Sequence, residues 1–241
     1  MNENSKHILV CGGTNGVGKA TAELLSSEGY RVFVFGRGEK MLHDVIREVR
    51  HRGGTIDGCN ADVSQYGRVE YAFHKAVSTF GPIDAVILCA AVPANNMFNT
   101  PVEQWEKIIG INLLGYAYCS KLAVEAMRGR GGRIVAIGSL CIRVLDNGCD
   151  LYVAAKTGVH GLMASLRKEV ASENISVTLI NPGQIASGMV KETEEEKAQA
   201  VLEGRMLRPE DVARMIAFCV EQPPTVAITE LEVVPSQQLA L

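Results

Sequence analysis

The sequence predicts an α/β domain with a parallel sheet covered by helices on both faces. Three observations carry that expectation. Short β-branched runs alternate with longer segments of helical periodicity, which implies single-helix crossovers between parallel strands. Two of the runs, Val86-Ile87-Leu88 and Ile134-Val135-Ala136-Ile137, are apolar without a break, as strands buried on both faces are. A glycine-rich turn follows the first run and opens the first helical segment.

In chain order, strands are expected at Lys6–Cys11, Arg31–Phe35, Thr55–Cys59, Asp84–Cys89, Arg133–Ile137, Ile175–Ile180 and Ala227–Val233. Helices are expected at Val17–Glu28, Glu39–Arg50, Gln65–Thr79, Val102–Met127, Leu151–Ala171 and Pro209–Val220. The second helix carries Met41, Leu42, Val45, Ile46 and Val49 on one stripe, the mark of a face turned to a core. Gly110 and Gly115 interrupt the fourth. Neither a linker nor an internal repeat divides the chain, so one domain is expected over residues 1–241. The one strongly biased run, Lys191–Lys197 (KETEEEK), reads as a solvated helical face.

The 241 residues are 47% hydrophobic and 21% charged, enough for a substantial core. A formal charge of −3 gives no electrostatic reason to expect nucleic acid or an anionic membrane as partner. No apolar stretch approaches the ~18 residues of a membrane span. The polar start, Met1 to His7, lacks the shape of a signal peptide. Seven cysteines at irregular spacings, with no Cys-x-x-Cys pair, read as reduced thiols of a cytoplasmic protein. The five histidines show no ligand spacing, so no metal is expected.

The glycine turn runs Cys11-Gly12-Gly13-Thr14-Asn15-Gly16-Val17-Gly18-Lys19-Ala20. Glycines between a first strand and a first helix let the backbone approach a pyrophosphate, which the helix N-terminus then attracts. Gly13 to Lys19 also fits a phosphate loop, but that pattern wants Ser or Thr next to hold magnesium. Ala20 offers no oxygen, so the dinucleotide reading is the better one. An NAD site would place a carboxylate at the end of the second strand. Here the strand ends Phe35-Gly36-Arg37. Arg37 is placed to pair with a 2′-phosphate as a planar fork of donors. NADP(H) is therefore expected ahead of NAD(H); the plainer alternative is an arginine that caps a loop.

Tyr152 and Lys156 stand four residues apart near the start of a helix and share one of its faces. Such a pair alone means little. Ser139, thirteen positions earlier, follows a buried strand. Asn112 sits mid-helix, where its amide has low propensity and needs another reason to be. Asn181-Pro182-Gly183 follows the next strand. Together with Gly12-x-x-x-Gly16-x-Gly18 and Asp62-Val63, these residues resemble the short-chain dehydrogenase/reductase family in its compact form. The likeness covers nearly the whole chain.

The resemblance implies a single doubly wound, Rossmann-like domain with a seven-stranded parallel sheet. It implies an oxidoreductase that moves a hydride between NADP(H) and a small carbonyl or alcohol. Tyr152 would be the acid–base residue, Lys156 would lower its pKa and hold the nicotinamide ribose, Ser139 would bond the substrate oxygen, and Asn112 would hold a water linking Lys156 to solvent. Cofactor contacts would come from Gly12, Thr14, Asn15, Gly16, Val17, Gly18, Arg37, Asp62, Val63, Ala90, Tyr152, Lys156, Pro182, Gly183, Ile185 and Ser187, with Asp62 at the adenine. The chemistry is reasonable on its own terms: a free phenol has a pKa near 10, and a neighbouring ammonium brings it toward neutrality.

The sequence departs from the family's pattern in places. Cys11 stands for a usual Thr, Leu88-Cys89-Ala90-Ala91 for Asn-Asn-Ala-Gly, and Ser187 for Thr. The ending, Ile228 to Val234 and then Pro235-Ser236-Gln237-Gln238, replaces a frequent Val-Asp-Gly-Gly. It resembles a branch of hydroxy-acid and related NADP-dependent dehydrogenases.

Substrate recognition is expected beyond the carboxyl ends of the strands, in Val92–Asn96, Leu140–Leu151 and a mobile flap at about 184–205. Met189, Val190, Val201 and Leu202 would form the flap's inner face, with Glu192 to Glu196 outward. Arg143 is either a partner for an anionic substrate group or an ordinary surface arginine. Pro93 and Trp105 serve turn and packing. The helix around Asn112 is apolar on more than one side, through Ile108, Ile109, Leu113, Leu114, Tyr116, Ala117 and Leu122. Such a helix packs against a partner as well as its own sheet, and a homotetramer, or else a homodimer, is expected. The competing reading is a protein of the same fold that binds or senses NADP with little turnover.

Overall fold

The computed structural model describes residues 5–145 and 149–238. Seven strands, β1 (His7–Cys11), β2 (Arg31–Gly36), β3 (Thr55–Asn60), β4 (Ala85–Leu88), β5 (Gly132–Ile137), β6 (Ile175–Pro182) and β7 (Glu230–Val233), form one sheet. Every pair is parallel, in the order β3-β2-β1-β4-β5-β6-β7. The chain leaves β1 toward β3 and then crosses to the other side at β4. The order thus reverses between β1 and β4, and a crevice opens there beyond the strand ends.

Side chains alternate along each strand, and both faces are buried. Leu9, Phe33, Val86, Ile134 and Val177 point into one core. It is closed by α3 (Tyr66–Phe80), α5 (Gly115–Met127) and α7 (Asp150–Val170). Ile8, Val32, Ile87, Val135 and Ile180 point into the other. That one is closed by α1 (Gly16–Ser27), α2 (Glu39–His51) and α9 (Pro209–Glu221). Each fully buried side chain of this kind contributes about 1.5–3 kcal/mol. The uninterrupted apolar runs thus have the cause that the sequence suggests.

The segment expected as one helix over Val102–Met127 is spliced. A 3-10 turn (Val102–Gln104) leads into α4 (Trp105–Ile109), a π-turn (Gly110–Leu114) follows, and α5 continues from it. Its inward positions run from Ile108 to Met127 in five turns. That is one residue more than the ~18 of plain α geometry, and the π-turn absorbs the excess. Of the apolar residues on its several sides, Ile108, Tyr116 and Leu122 are buried within the chain, Ile109, Leu113 and Ala117 are half-buried, and Leu114 is substantially exposed. Two short helices, α6 (Cys141–Val144) and α8 (Glu194–Leu202), complete the described chain. Among the described residues no helix is long and apolar enough to cross a membrane.

His7 carries a measurable consequence. It is fully buried at the start of β1, with Nδ1 2.9 Å from the Gly81 carbonyl and its ring edge-on to Phe80. Nε2 has no partner. Burial, with Arg31 adding to it, lowers its pKa from 6.5 against the pull of Gly81 and Asp84. The unfolded chain therefore takes up a proton that the folded one refuses, and stability is lost as pH falls below about 6.5. Melting temperature is expected to drop between pH 7 and 5.5, and to drop less steeply in His7→Phe. Parallel slopes in the two proteins would show that His7 does not set the dependence.

Candidate active site

The turn after β1 explains its own glycines. Gly12 has φ +85°, and its N–H and that of Gly13 donate to the Phe35 carbonyl at 2.9 and 3.2 Å. A Cβ on Gly12 would stand 2.7 Å from the backbone of Ala90, so the loops after β1 and β4 meet here. A Cβ on Gly18 would collide with the Gly12 carbonyl. Asn15 then caps α1, its side-chain oxygen accepting from Gly16 N at 2.7 Å. The free N–H groups and positive end of α1 face the crevice.

That crevice is a cavity of about 890 Å³, within the ~300–1,000 Å³ range of small-molecule and cofactor sites. Its lining brings together Gly12, Thr14, Asn15, Gly16 and Val17 of the glycine turn, Arg37, Val63 and Ala90, the group Ser139, Tyr152 and Lys156, and Pro182, Gly183, Ile185 and Ser187. Three of the expected residues lie behind the wall. Gly18 supports the turn from below. Asp62 accepts from Ser64 N and Oγ at 2.9 and 2.7 Å, tying off the loop after β3. Asn112 is fully buried in the π-turn, and its amide both accepts from Val92 N and donates to Val92 O at 2.9 Å. It clamps the loop that follows β4.

Ser139 follows β5, and its backbone N–H donates to Asn181 Oδ1 at 3.2 Å. Asn181 Nδ2 in turn donates to Glu230 Oε1 at 2.6 Å. Arg143 pairs with Glu232 at 3.0 Å and Glu230 at 3.5 Å. Of the two readings of Arg143, the ordinary one is favoured, because two carboxylates already face it. Tyr152 and Lys156 project from the first turns of α7 as their spacing requires. Burial pushes the Tyr152 phenol above its usual range, Cys141 adds to this, and a hydrogen bond with Ser139 pulls it back. Burial also presses Lys156 down to about 8. Its Nζ lies 5.7 Å from the Tyr152 ring centre and donates to Tyr116 Oη at 3.0 Å and to the Ile137 carbonyl at 2.8 Å.

Two of the departures are packing choices, whereas Cys89, Ala91 and Ser187 line the cavity. Cys11 and Leu88 are core residues, and burial raises the Cys11 thiol, which hydrogen-bonds Cys119. In the flap, Ser187, Met189 and Val190 line the cavity, and Thr193 with Glu196 forms a capping box that starts α8. The buried face of α8 consists of Lys197 and Ala200, whereas Leu202 is 82% exposed. The inner face expected from Val201 and Leu202 is thus turned by part of a helical step. Gln184 N donates to Gln238 Oε1 at 3.3 Å, and Gln238 lines the cavity as well. Of the segment 140–151, residues 146–148 lie outside the described residues. Sequence reasoning missed Tyr116 and the Asn181–Glu230 link, since a tyrosine in an apolar helix and a glutamate on an edge strand carry no signal of their own.

Comparison with known proteins points one way. Residues 6–198 match the family described as short chain dehydrogenase. The chain is 32% identical over 222 residues to carbonyl reductase family member 4 of Xenopus laevis, covering 91% of this chain and 92% of that one. It is 30% identical over 223 residues to the 3-oxoacyl-[acyl-carrier-protein] reductase FabG of Chlamydia pneumoniae, covering 90% of each. A crystal structure of a variant actinorhodin polyketide ketoreductase with NADPH superposes with TM-score 0.88 at 30% identity, covering 97% of both chains.

Proposed function

This chain belongs to the short-chain dehydrogenase family, and on that footing we propose that it is an NADP(H)-dependent reductase of small carbonyl compounds with Tyr152 as proton donor. As a family member it is an oxidoreductase. The observation that carries the finer reading is the meeting, in one cavity, of the glycine turn, Arg37 and the Ser139–Tyr152–Lys156 group. The residues fit a dinucleotide: a backbone that only glycine allows, a helix N-terminus for the pyrophosphate, and an arginine where NAD would want a carboxylate. Bound there, the nicotinamide supplies the hydride.

The chain's own groups do the rest. The Ser139 hydroxyl holds the carbonyl oxygen beside Tyr152. Tyr152 gives its Oη proton to that oxygen as negative charge develops on it, and is left as a phenolate. The Lys156 ammonium stabilises that phenolate and would donate to a ribose hydroxyl. Fixing both partners within reach of each other supplies much of the remaining acceleration.

The substrate end of the cavity is lined by Pro93, Ala94, Leu140, Val144, Met189 and Val190, with the thiols of Cys141 and Cys149. Among the described residues, the charged groups on the wall are Arg37 and Lys156, and both have other tasks. We therefore expect uncharged, apolar ketones or aldehydes. NADPH consumption measured over a series of methyl ketones should show kcat/KM rising about fourfold per buried methylene. The matching keto acids should be at least tenfold poorer. No consumption with any carbonyl would sink the reductase reading; preference for the acids would sink only the apolar one.

A further inference from the structure

Tyr116 is buried in α5, 2% exposed, and its ring still reaches the cavity wall. Its Oη accepts from Lys156 Nζ at 3.0 Å and donates to the Ile137 carbonyl at 2.9 Å. Lys156 donates to the same carbonyl at 2.8 Å, which closes a triangle. The ammonium also lies 4.5 Å from the centre of the Tyr116 ring, close enough for attraction by its face. A buried ammonium must have partners, and the side chains that act on Lys156 electrostatically are Cys141 and Cys89, not carboxylates. The Asn112 amide is spent on Val92.

We propose that Tyr116 is a positioning residue for this site, its phenolic oxygen holding the Lys156 ammonium charged and aimed into the cavity. The proposal rests on the reductase reading for its effect on turnover, but not for the contact itself. The titratable groups around the pair are few. Cys89 follows β4 and is pushed up to about 12 by burial. Cys11 on β1 and Cys119 on α5 act on Tyr116, as does Tyr152 on α7, and Cys141 on α6 acts on Lys156. Burial holds Tyr116 itself well above its usual range, so it stays a phenol.

Tyr116→Phe keeps the ring and removes the oxygen. Lys156 then retains the Ile137 carbonyl but loses its second acceptor, which favours the uncharged amine. The alkaline limb of kcat for carbonyl reduction should move down by about one to two pH units, the range expected for one hydrogen bond to a charged group. KM for the ketone should stay within twofold. A purely structural role would lower kcat equally at every pH. Lys156 is also followed directly, in cofactor-free protein labelled with 13C at the lysine ε-carbon and assigned with Lys156→Met. Its midpoint should fall by the same amount in Tyr116→Phe. An unmoved midpoint in a folded variant overturns the proposal. A moved midpoint with no turnover by wild type on any carbonyl keeps it and removes the reductase reading. Should Tyr116→Phe not fold, the Tyr116 ζ-carbon shift in labelled wild type decides. It must follow the Lys156 titration, and indifference to it would overturn the contact.

Discussion

Tyr152→Phe is expected to lower kcat for carbonyl reduction by about 10²–10⁴-fold, the usual contribution of a positioned general acid. The change deletes one oxygen. The ring remains to fill the same volume between Cys141, Cys149 and Lys156, so the packing term is small. What is lost is the proton that must reach the substrate oxygen as the hydride arrives, and water is a poor replacement in a wall formed by Pro93, Ala94, Leu140 and Val144. NADPH affinity should change no more than a few-fold, because the turn from Gly12 to Val17 and Arg37 are untouched. Fluorescence titration of NADPH and single-turnover rates, run together, separate the two effects. A variant retaining more than a tenth of wild-type kcat would move the acid elsewhere. One that loses NADPH binding as well would make Tyr152 a structural residue of the pocket.

Arg37→Ala is expected to weaken NADPH binding about 10- to 100-fold and to leave NADH binding within threefold. Arg37 follows β2 and lines the cavity, and its carbonyl is pinned by Asn60 Nδ2 at 2.8 Å. The backbone is thus held whatever the side chain does, and the substitution tests the guanidinium alone. A hydrogen bond to a charged group contributes about 1.5–3 kcal/mol. Arg37 is solvent-exposed, so the lower half of that range applies. The selectivity should shrink as ionic strength rises, since an exposed pair is screened. Calorimetric titration of both cofactors, on both proteins, checks the result. Equal losses for NADPH and NADH would assign Arg37 to the loop and leave the cofactor preference without a carrier.

The architecture was legible in the sequence because its physical cause is periodic. Strands buried on both faces cannot avoid continuous apolar runs, and the helices between them must carry a stripe. Boundaries moved by a residue or two, as at His7 and Gly36. The last strand began at Glu230 rather than Ala227, because Thr178 meets Ile228 through its side chain. The residues lining the cavity were largely legible too, since glycine turns and a Tyr-x-x-x-Lys spacing are local patterns. What a buried polar group bonds to was not. Asn112 looked as if it needed a reason, and it has one, but the reason is Val92, twenty residues away. Tyr116 read only as one apolar residue of a helix packed on more than one side, and it meets Lys156. Such pairings are made by the fold and have no local signature.

The π-turn at Gly110–Leu114 has one more consequence. Each residue of an α-helix advances it by about 100°, so one surplus residue is a change of phase. Remove it, and the register of everything after Gly115 slips against everything before Ile109. To the eye of an aligner this is a harmless gap, placed as easily in the loop before Trp105. To the molecule it is a gear tooth. A one-residue deletion within 110–114 would leave a longer, more regular helix and carry Tyr116 out from beside Lys156. Regularity and function are at odds at this position, and a designer who idealised the helix would dismantle the site while improving the backbone.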